Sequence, residues 1–349
     1  MTEVVWQRLD GPVTFRLPLR GLMILAALLI GCLTVLAVSL MSGSYPIGLP
    51  GVLSTLAGQP PSETARTVVW EFRFPRTLAA LATGALFALS GAILQTVTRN
   101  PLADPSLVGV SQGASLAVVA TMVLFPAVGL AWRPLLAFGG ALSVAALIQW
   151  IAMRRSGGAT MRFILTGIGV AAFLSAATNA LLTYGDIERA LAALGWLAGS
   201  VHAAGWGEVR FLGWCLVGLL PVLVWAARPM AALRFGPELA TGLGVAVRRD
   251  RMVLIALSVA LAAVAVAAVG PLGFVGLVAP HMPRRLARTG CGLHLALSAA
   301  IGALMVGLAD FAGRSLFAPV QIPAGLLTAV IGVPIFVWLI LRRQAQSQL

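Results

Sequence analysis

The titratable side chains of this sequence are few, and most of them are arginines. The 349 residues include 24 arginines and no lysine, with 11 acids, three histidines and three cysteines. No two histidines have metal-ligand spacing, and the cysteines (Cys32, Cys215 and Cys291) form no Cys-x-x-Cys motif, so we predict neither a metal site nor a disulfide. A membrane enzyme would need acids, histidines or nucleophiles that converge, and the sequence shows no such cluster.

Two pairs of charged residues stand out against the apolar background. Arg73 and Arg76 flank Pro75 at the start of a long apolar run. Snorkelling of their stems along the membrane interface is the ordinary alternative for either residue. Asp310 and Arg314 lie four apart, so on a helix they could simply pair. Asp310 is the lone acid within an apolar segment, which argues against an ion-coupled secondary transporter, the rival class that we retain.

The absence of lysine excludes one activity directly. A Walker A loop holds phosphates with a Gly-Lys-Ser/Thr sequence, which this chain cannot supply. The chain is therefore predicted not to be an enzyme. Any ATP hydrolysis linked to it would come from a partner.

The composition is that of a protein embedded in a membrane. Hydrophobic residues make up 59% and charged residues 10% of the chain, whereas soluble proteins have roughly 25% charged residues. The mean hydropathy is +0.96. We predict one transmembrane domain over residues 1–349. Leu29 to Cys32 resembles a lipoprotein cleavage box, but the apolar run continues past Cys32, which favours an uncleaved transmembrane helix.

The apolar runs predict an all-α protein with about ten transmembrane helices. They lie at about 21–41, 75–97, 107–125, 134–153, 161–183, 211–227, 252–269, 272–280, 293–311 and 323–341. Ten crossings place both termini on one side, with residues 1–20 as a polar start and residues 42–72 as a loop opposite. The side of the termini then has 17 arginines and 5 acids, against 7 and 6 on the other. The positive-inside rule predicts that this side is cytoplasmic.

Two segments break at prolines after helices rich in small residues. Residues 91–105 break at Asn100-Pro101, and residues 270–283 break at Pro280. Irregular backbone in a membrane is tolerated where protein or a water-filled cavity satisfies it. The two segments lie an odd number of crossings apart, so a repeat would be inverted, as in many transporters. The small residues before and after them predict close helix packing at Gly84, Ala88, Gly91, Gly302 and Gly307.

Two further patterns predict local function. In the polar connection 228–251, Pro237 and Glu238 are suited to start a short helix, and Gly242 and Gly244 to end it. An ordinary amphipathic loop is the alternative. Polar residues also recur on one face of the fifth segment, at Ser175, Thr178, Asn179 and Thr183. They could form interhelical hydrogen bonds or line a pore, and both readings stay open.

The motifs together resemble one family. Five motifs occur in order along the chain: RFPR at 73–76, RNPLADPSLVGVSQGA from Arg99, GFVGLVAPHMPR at 273–284, ADFAGR from Ala309 and IPAGLLTAVIGVPIF at 322–336. This series resembles the FecCD family of permease subunits of ABC importers for ferric siderophores, haem and cobalamin. The resemblance implies a type II ABC importer permease fold that works as a dimer.

The resemblance also assigns roles to residues. It implies that a periplasmic or lipid-anchored binding protein docks on three arginines: Arg73, Arg76 and Arg314. It implies that the ATPase subunit is coupled through Pro237, Glu238, Leu239, Ala240, Leu243 and Gly244. It places Ser175, Thr178 and Asn179 on the translocation path. A structural motif role falls to Asn100, Pro101, Pro280, His281 and Arg284. Gln321 departs from relatives, which commonly have an acid there.

The implied machine has several components in a bacterial cytoplasmic membrane. A second permease, identical or paralogous, and two ATP-binding cassette subunits would join this chain, and no nucleic acid is involved. The chain would bind no cofactor, since ATP and Mg²⁺ are used by the ATPase. The sequences TRNPLADP and GWLAGS look more like those of ferric-siderophore permeases than cobalamin permeases. Haem and cobalamin remain the alternative cargoes.

Overall fold

The computed structural model describes residues 3–7, 14–43, 45–129, 132–153, 159–287, 289–316 and 320–346. The α-helices in chain order are α1 (Leu19–Met41), α2 (Leu49–Leu56), α3 (Glu63–Thr67), α4 (Phe74–Thr98), α5 (Val110–Leu124), α6 (Arg133–Met153), α7 (Ala159–Tyr184), α8 (Ile187–Leu197), α9 (Trp206–Leu233), α10 (Pro237–Gly242), α11 (Val247–Val269), α12 (Val275–Val278), α13 (His281–Leu286), α14 (Cys291–Ser315) and α15 (Ala324–Gln346). A 3₁₀ turn, Pro105–Val108, precedes α5.

One helix is longer than its predicted apolar segment. A π-helical turn, Val68–Arg73, joins α3 to α4 without a break, so the chain is helical from Glu63 to Thr98 over 36 residues. The sequence predicted a loop as far as residue 72. Short α-helical and π-helical stretches are stabilised here by their continuity with α4 and by a cap. The Ser62 hydroxyl accepts a hydrogen bond from the Ala65 amide at 3.0 Å.

A β-hairpin precedes the first membrane helix and was not predicted. Strands β1 (Glu3–Gln7) and β2 (Thr14–Pro18) pair antiparallel, with Glu3 opposite Pro18 and Gln7 opposite Thr14. These segments contain valine, threonine, tryptophan and phenylalanine, which suit a pleated surface. The sequence analysis considered only their polarity and their arginines.

The apolar helices agree with a multi-pass membrane protein. Seven of the described helices are long and apolar enough to cross a bilayer, and two shorter apolar helices, Val110–Leu124 and Ala324–Trp338, add to them. Each of the ten predicted segments overlaps a helix, the eighth only at the four-residue α12. The prediction of an all-helical membrane bundle with about ten segments is confirmed, apart from the terminal hairpin.

Three helices form the centre of the bundle. In their apolar windows, 78% of the residues of the 63–98 helix are buried, with 67% in α11 and 61% in α14. The corresponding share is 11% in α1 and 17% in both α7 and α9. The central helices are rich in alanine, and α4 and α14 also contain glycines, whereas the outer helices carry exposed leucines and aromatics. The outer faces are therefore those available to lipid or to another subunit.

Glycines bring the central helices into backbone contact, as predicted. A Cβ on Gly84 would overlap the carbonyl oxygen of Gly302 in α14. One on Gly91 would overlap the carbonyl oxygen of Gly276 in the short α12. The small faces therefore allow close approach of α4 to both elements.

The two broken segments pack directly on each other. The Gln95 side-chain amide donates to the carbonyls of Gly276 at 3.3 Å and Leu277 at 3.1 Å. A Cβ on Gly276 would lie 2.9 Å from Pro105 Cδ. The irregular backbone around α12 is thus satisfied by α4, as a membrane requires. Whether the two segments are copies of an inverted repeat stays a prediction.

The Gly84–Gly302 contact leads to a stability prediction. Gly84→Ala should lower the midpoint of thermal unfolding in detergent, because the added methyl group forces α4 away from α14 at about 1–3 kcal/mol or more. Gly218→Ala is the matched control, since nothing lies within 4 Å of a Cβ at this α9 position. An equal midpoint for Gly84→Ala and Gly218→Ala would contradict the close packing.

Candidate functional site

Charged residues that are distant in sequence meet at one end of the bundle. We call this the arginine end, defined by Arg73, Arg76, Arg314 and Asp310. It joins the C-terminal end of α1, the π-helical turn, the start of α4 and the last turns of α14. The charge count had placed all of these segments on the same side of the membrane. The structure therefore brings the predicted docking arginines together.

Arg76 and Asp310 form the central ion pair. Arg76 Nε and Nη2 lie 3.0 and 2.7 Å from Asp310 Oδ1. The side chains are 12% and 3% exposed. Arg76 Nη1 also donates to Gln321 Oε1 at 2.9 Å and to His202 Nδ1 at 3.0 Å. Gln321 thus supplies Arg76 with a neutral acceptor beside the carboxylate of Asp310.

Arg73 is turned towards the end of α1. Its side chain is buried and donates to the carbonyl oxygens of Leu40 at 2.8 Å, Met41 at 3.3 Å and Tyr45 at 2.6 Å. The last carbonyls of a helix lack partners within it, and a cation is favoured there by the helix dipole. Arg73 therefore terminates α1 rather than projecting from the surface. The snorkelling alternative does not describe its position.

Arg314 holds the same helix end from the other side. Its guanidinium donates to the carbonyl oxygens of Ser42 and Ser39 at 2.8 Å each, and to the Ser39 hydroxyl. Arg314 Nε lies 3.7 Å from Asp310 Oδ2. The i,i+4 pairing considered from sequence is present, but Arg76 makes the shorter contacts with the carboxylate.

These positions bear on the docking prediction. The three arginines and one aspartate leave a formal excess of two positive charges at the arginine end. Arg73 and Arg314 are buried in this conformation, and the Nη atoms of both donate to groups within the chain. Arg76 reaches the exposed residues His202 and Gln321. The assignment of all three arginines to a docking surface stays a prediction.

A tryptophan cluster beside the arginines was missed by sequence reasoning. Trp70, in the π-helical turn, stacks on Trp206 with ring centroids 6.0 Å apart, and Phe74 meets both edge-on. Trp206 Nε1 donates to the Trp70 carbonyl at 2.7 Å, and Trp70 Nε1 to the Thr55 carbonyl at 3.2 Å. Single π-helical turns within α-helices, such as the one that contains Trp70, frequently mark functional sites.

The opposite end of the bundle carries the predicted coupling helix, and we call it the α10 end. The helix runs over Pro237–Gly242, as predicted, between Gly236 and Gly244, which have positive φ values of 114° and 82°. Leu239 and Leu243 are 62% and 66% exposed. Exposed leucines next to the exposed Glu238 form a surface suited to a protein partner.

The predicted coupling residues share this short helix and its exit. Pro237, Glu238 and Leu239 form its exposed first turn, Ala240 is buried beneath them, and Leu243 and Gly244 follow at the end. The prediction of the helix is confirmed. The coupling role of these residues stays a prediction.

Arg99 attaches this end to the central helix and was not singled out from sequence. It closes α4 in a left-handed conformation, with φ of 53°, and its Nη2 donates to the Leu233 carbonyl at the end of α9 at 3.3 Å. Left-handed non-glycine residues are uncommon and require support from their surroundings. Arg99 therefore links the end of α4 to the residues that lead into α10.

The Asn-Pro break next to Arg99 is a set of local turns. Asn100 Oδ1 accepts from the Leu102 amide at 3.0 Å, and Pro101 follows in the turn. Asp104 Oδ1 accepts from the Ser106 amide at 2.7 Å and caps the 3₁₀ turn. Burial raises the pKa of the Asp104 carboxyl, although its hydrogen bonds to Ser106 oppose the shift. The motif role predicted for Asn100 and Pro101 stays a prediction.

The polar stripe of α7 is not uniformly placed. Thr178 is buried, Ser175 is half-buried and Asn179 is exposed. The hydroxyls of Thr178 and Thr183 donate to the carbonyls four residues earlier, at 2.9 Å each, within α7. These two hydrogen bonds lie within α7 and do not join it to another helix. The assignment of this stripe to the translocation path therefore stays a prediction. Asn179 is exposed, as a residue that lines such a path must be.

The remaining predicted residues lie around α13. Pro280 precedes this helix, and His281 is its first residue and is half-buried. Arg284 is exposed and lies in the last turn. Within the described ranges, no three His, Cys, Asp or Glu residues come close enough to hold a metal ion. The three cysteines are free. The structural role predicted for the Pro-His motif stays a prediction.

The ion pair of Arg76 with Asp310 leads to a second stability prediction. Asp310→Asn should lower the thermal midpoint strongly, because loss of one partner of a buried ion pair costs about 3–5 kcal/mol. The double variant Arg76→Gln with Asp310→Asn should recover part of this loss. Glu63→Gln removes an exposed pairing with Arg66 and should leave the midpoint unchanged. A double variant no more stable than Asp310→Asn would argue against the pairing.

Comparison with known proteins agrees with this architecture. The chain is 38% identical over 342 residues to the achromobactin transport system permease protein of Dickeya dadantii, which covers 98% of this chain and 97% of that protein. It is 39% identical over 333 residues to the Fe(3+)-citrate import system permease protein of Bacillus subtilis, covering 95% and 97%.

A solved structure has the same fold. A metal-chelate type ABC transporter in an inward-facing conformation matches with a TM-score of 0.82 and 28% sequence identity, over 92% of this chain and 99% of that chain. The predicted ABC importer permease fold is thereby confirmed. Residues 28–342 match the model of the FecCD transport family. The chain is a member of the FecCD transport family.

Proposed function

We propose that the chain is the membrane-spanning permease subunit of an ATP-driven importer that carries a ferric siderophore across the bacterial cytoplasmic membrane. The observation that carries the proposal is the similarity, over nearly the whole chain, to permeases named for achromobactin and Fe(3+)-citrate transport. Haem and cobalamin are the alternative cargoes of the same kind of machine.

The energy source would lie in partner subunits. The absence of lysine rules out a Walker A loop in this chain. Two ATP-binding cassette subunits would supply the hydrolysis, with ATP and Mg²⁺ bound there. The exposed Leu239, Leu243 and Glu238 around α10 support docking of such a subunit at this end.

The orientation follows from the charges. The α10 end contains Arg99, Arg228 and Arg234, and it belongs to the side with the arginine excess, so we assign it and both termini to the cytoplasm. The arginine end would then face the binding protein. Its excess of positive charge favours a partner surface with acidic residues, and such complementarity mainly sets association rate and orientation.

A second permease subunit, identical or paralogous, would complete the translocation path. The helices α7 and α9 expose most of their apolar windows. Phe173 and Trp214 on these helices are 72% and 76% exposed. Such faces suit lipid or a neighbouring permease. The exposed Asn179 lies on α7, which supports this helix as a wall of the path.

One observation weighs against an ion-coupled secondary transporter. Asp310 is the lone acid within the predicted apolar segments, and its carboxylate is held by Arg76 at 2.7 Å. A carboxylate that carries ions or protons must exchange its partner during transport. Asp310 is instead committed to a buried ion pair. ATP-driven transport therefore fits the chain better.

Uptake into proteoliposomes tests the proposal. The chain would be reconstituted with its partner ATPase, its binding protein and, where separate, the second permease, and offered a ferric siderophore, haem and cobalamin in parallel. We expect ATP-dependent entry of the ferric siderophore alone. Entry of haem or cobalamin would revise the cargo. Entry driven by an ion gradient without the ATPase would overturn the mechanism.

The α10 surface gives a prediction about coupling. Glu238→Arg should abolish ATP-driven uptake or release the ATPase, because the charge is reversed at the centre of the proposed contact. Co-purification of the ATPase and its hydrolysis rate would be measured with uptake. Glu63→Arg, an equal charge reversal at the arginine end, should retain the ATPase. Normal uptake by Glu238→Arg would refute the coupling assignment.

A further inference from the structure

A cavity at the α10 end has a strongly basic lining. It has a volume of about 530 Å³ and lies where the end of α9, α13 and the start of α14 meet. The described residues that line it are Arg234, Arg284, Ala287, Thr289 and His294. None of them is acidic. Arg234 and Arg284 are both exposed, so the cavity is accessible from the surface.

A buried histidine in the lining has unused hydrogen-bonding capacity. His294 is 2% exposed, and its ring Nε2 has no hydrogen-bond partner among the described residues. Buried polar atoms in folded proteins nearly always have a partner, whether protein, water or ligand. The unused nitrogen of a cavity-lining residue is therefore an observation that points to a bound group.

The start of α14 adjoins the cavity, since Thr289 and His294, on either side of it, belong to the lining. Gly290 precedes the helix without a side-chain cap, and the first turn contains no acid. The first amides of a helix have no partners within it and carry the positive end of its dipole. Helix starts of this kind bind phosphate and other anions. Thr289, next to Gly290, lines the cavity.

We propose that this cavity binds a phosphate-bearing anion. Two guanidiniums and a buried imidazole line the cavity, and an uncapped helix start adjoins it. These groups match the oxygens of a phosphate group. The volume exceeds that of a phosphate alone and leaves space for an attached alcohol. The ligand is thus a phosphate ester, as in a lipid headgroup, or free phosphate with water.

The surroundings of the cavity connect it to the membrane. The start of α1 packs beside it, since a Cβ on Gly21 would lie 3.0 Å from Thr289 Cγ2. Only 11% of the apolar window of α1 is buried, so lipid can reach this helix. Basic pockets between transmembrane helices at the cytoplasmic side are known to hold anionic headgroups. A lipid is therefore included as one source of the phosphate.

Binding to the purified full-length chain in detergent tests the proposal with two probes. Inorganic phosphate is titrated by calorimetry, and phosphatidylglycerol is added before native mass spectrometry, with a diacylglycerol of the same acyl chains as the control lipid. We expect the wild-type chain to bind at least one phosphate probe and not to retain the diacylglycerol. Phosphatidylglycerol binding alone indicates a headgroup, and phosphate binding alone indicates a soluble anion.

Matched variants locate the binding. Arg234→Gln should weaken it about tenfold, as expected for one lost charge-assisted hydrogen bond, and Arg234→Lys should weaken it less. His294→Gln tests the buried nitrogen and should weaken it also. Arg228→Gln removes the same charge from an exposed position of α9, the helix that Arg234 follows. Arg228 lies in the lining of another cavity, so this variant should bind as wild type. Gel filtration checks that each variant is folded.

Several outcomes would overturn the proposal. Binding of neither probe to the wild-type chain would do so. An equal loss of affinity in Arg234→Gln and Arg228→Gln would do so as well, because it would indicate surface charge alone. Loss of a co-purified ATPase subunit from Arg234→Gln, with no probe bound to the wild-type chain, would assign the cavity to a carboxylate of that partner.

Discussion

A single buried carboxylate, that of Asp310, holds together the arginine end of the bundle. It comes from α14, and its ion pair with Arg76 attaches α4. The second arginine at the carboxylate, Arg314, bonds the carbonyls that follow α1, so the end of a third helix is fixed through it. In a medium of low dielectric constant, guanidiniums this close to one another need an opposite charge between them. The positions of Arg76 and Arg314 are therefore set by one acid. If the proposed docking occurs here, the partner meets a preformed array.

The centre of the bundle contains irregular backbone, whose polar groups need partners within a membrane. The chain stops being regularly helical around α12, where carbonyl groups would lack partners in lipid. Gln95 of α4 donates to two of these carbonyls. The glycine contact of α4 with α12 brings the amide within reach. Small residues and one polar side chain thus support a break in the helical backbone within the hydrophobic interior.

The sequence predicted those features that depend on local pattern. Apolar runs predicted the membrane helices, and the Pro-Glu start with its glycines predicted α10, because both signals lie within a few neighbouring residues. The ion pair of Arg76 with Asp310 spans 234 residues, and no local pattern contains it. Arg73 could be placed at a helix end from sequence, but its burial depends on a distant helix. The cap of α8 by Asp186 was a local signal that went unused. The motifs identified the family, whereas the roles of individual side chains are decided by experiment.

The helix that runs unbroken from Glu63 to Thr98 has a mechanical consequence. At 1.5 Å per residue its 36 residues extend for about 54 Å, which exceeds the thickness of a bilayer with its headgroups, about 40–45 Å. The first half of the helix contains Trp70 and Arg76, and its far end leads to Arg99, beside the segment that leads into α10. A stiff rod of this length converts a tilt of about 5° at one end into a displacement of about 5 Å at the other. The helix can therefore act as a lever between the two faces of the membrane, without any change in its own hydrogen bonds.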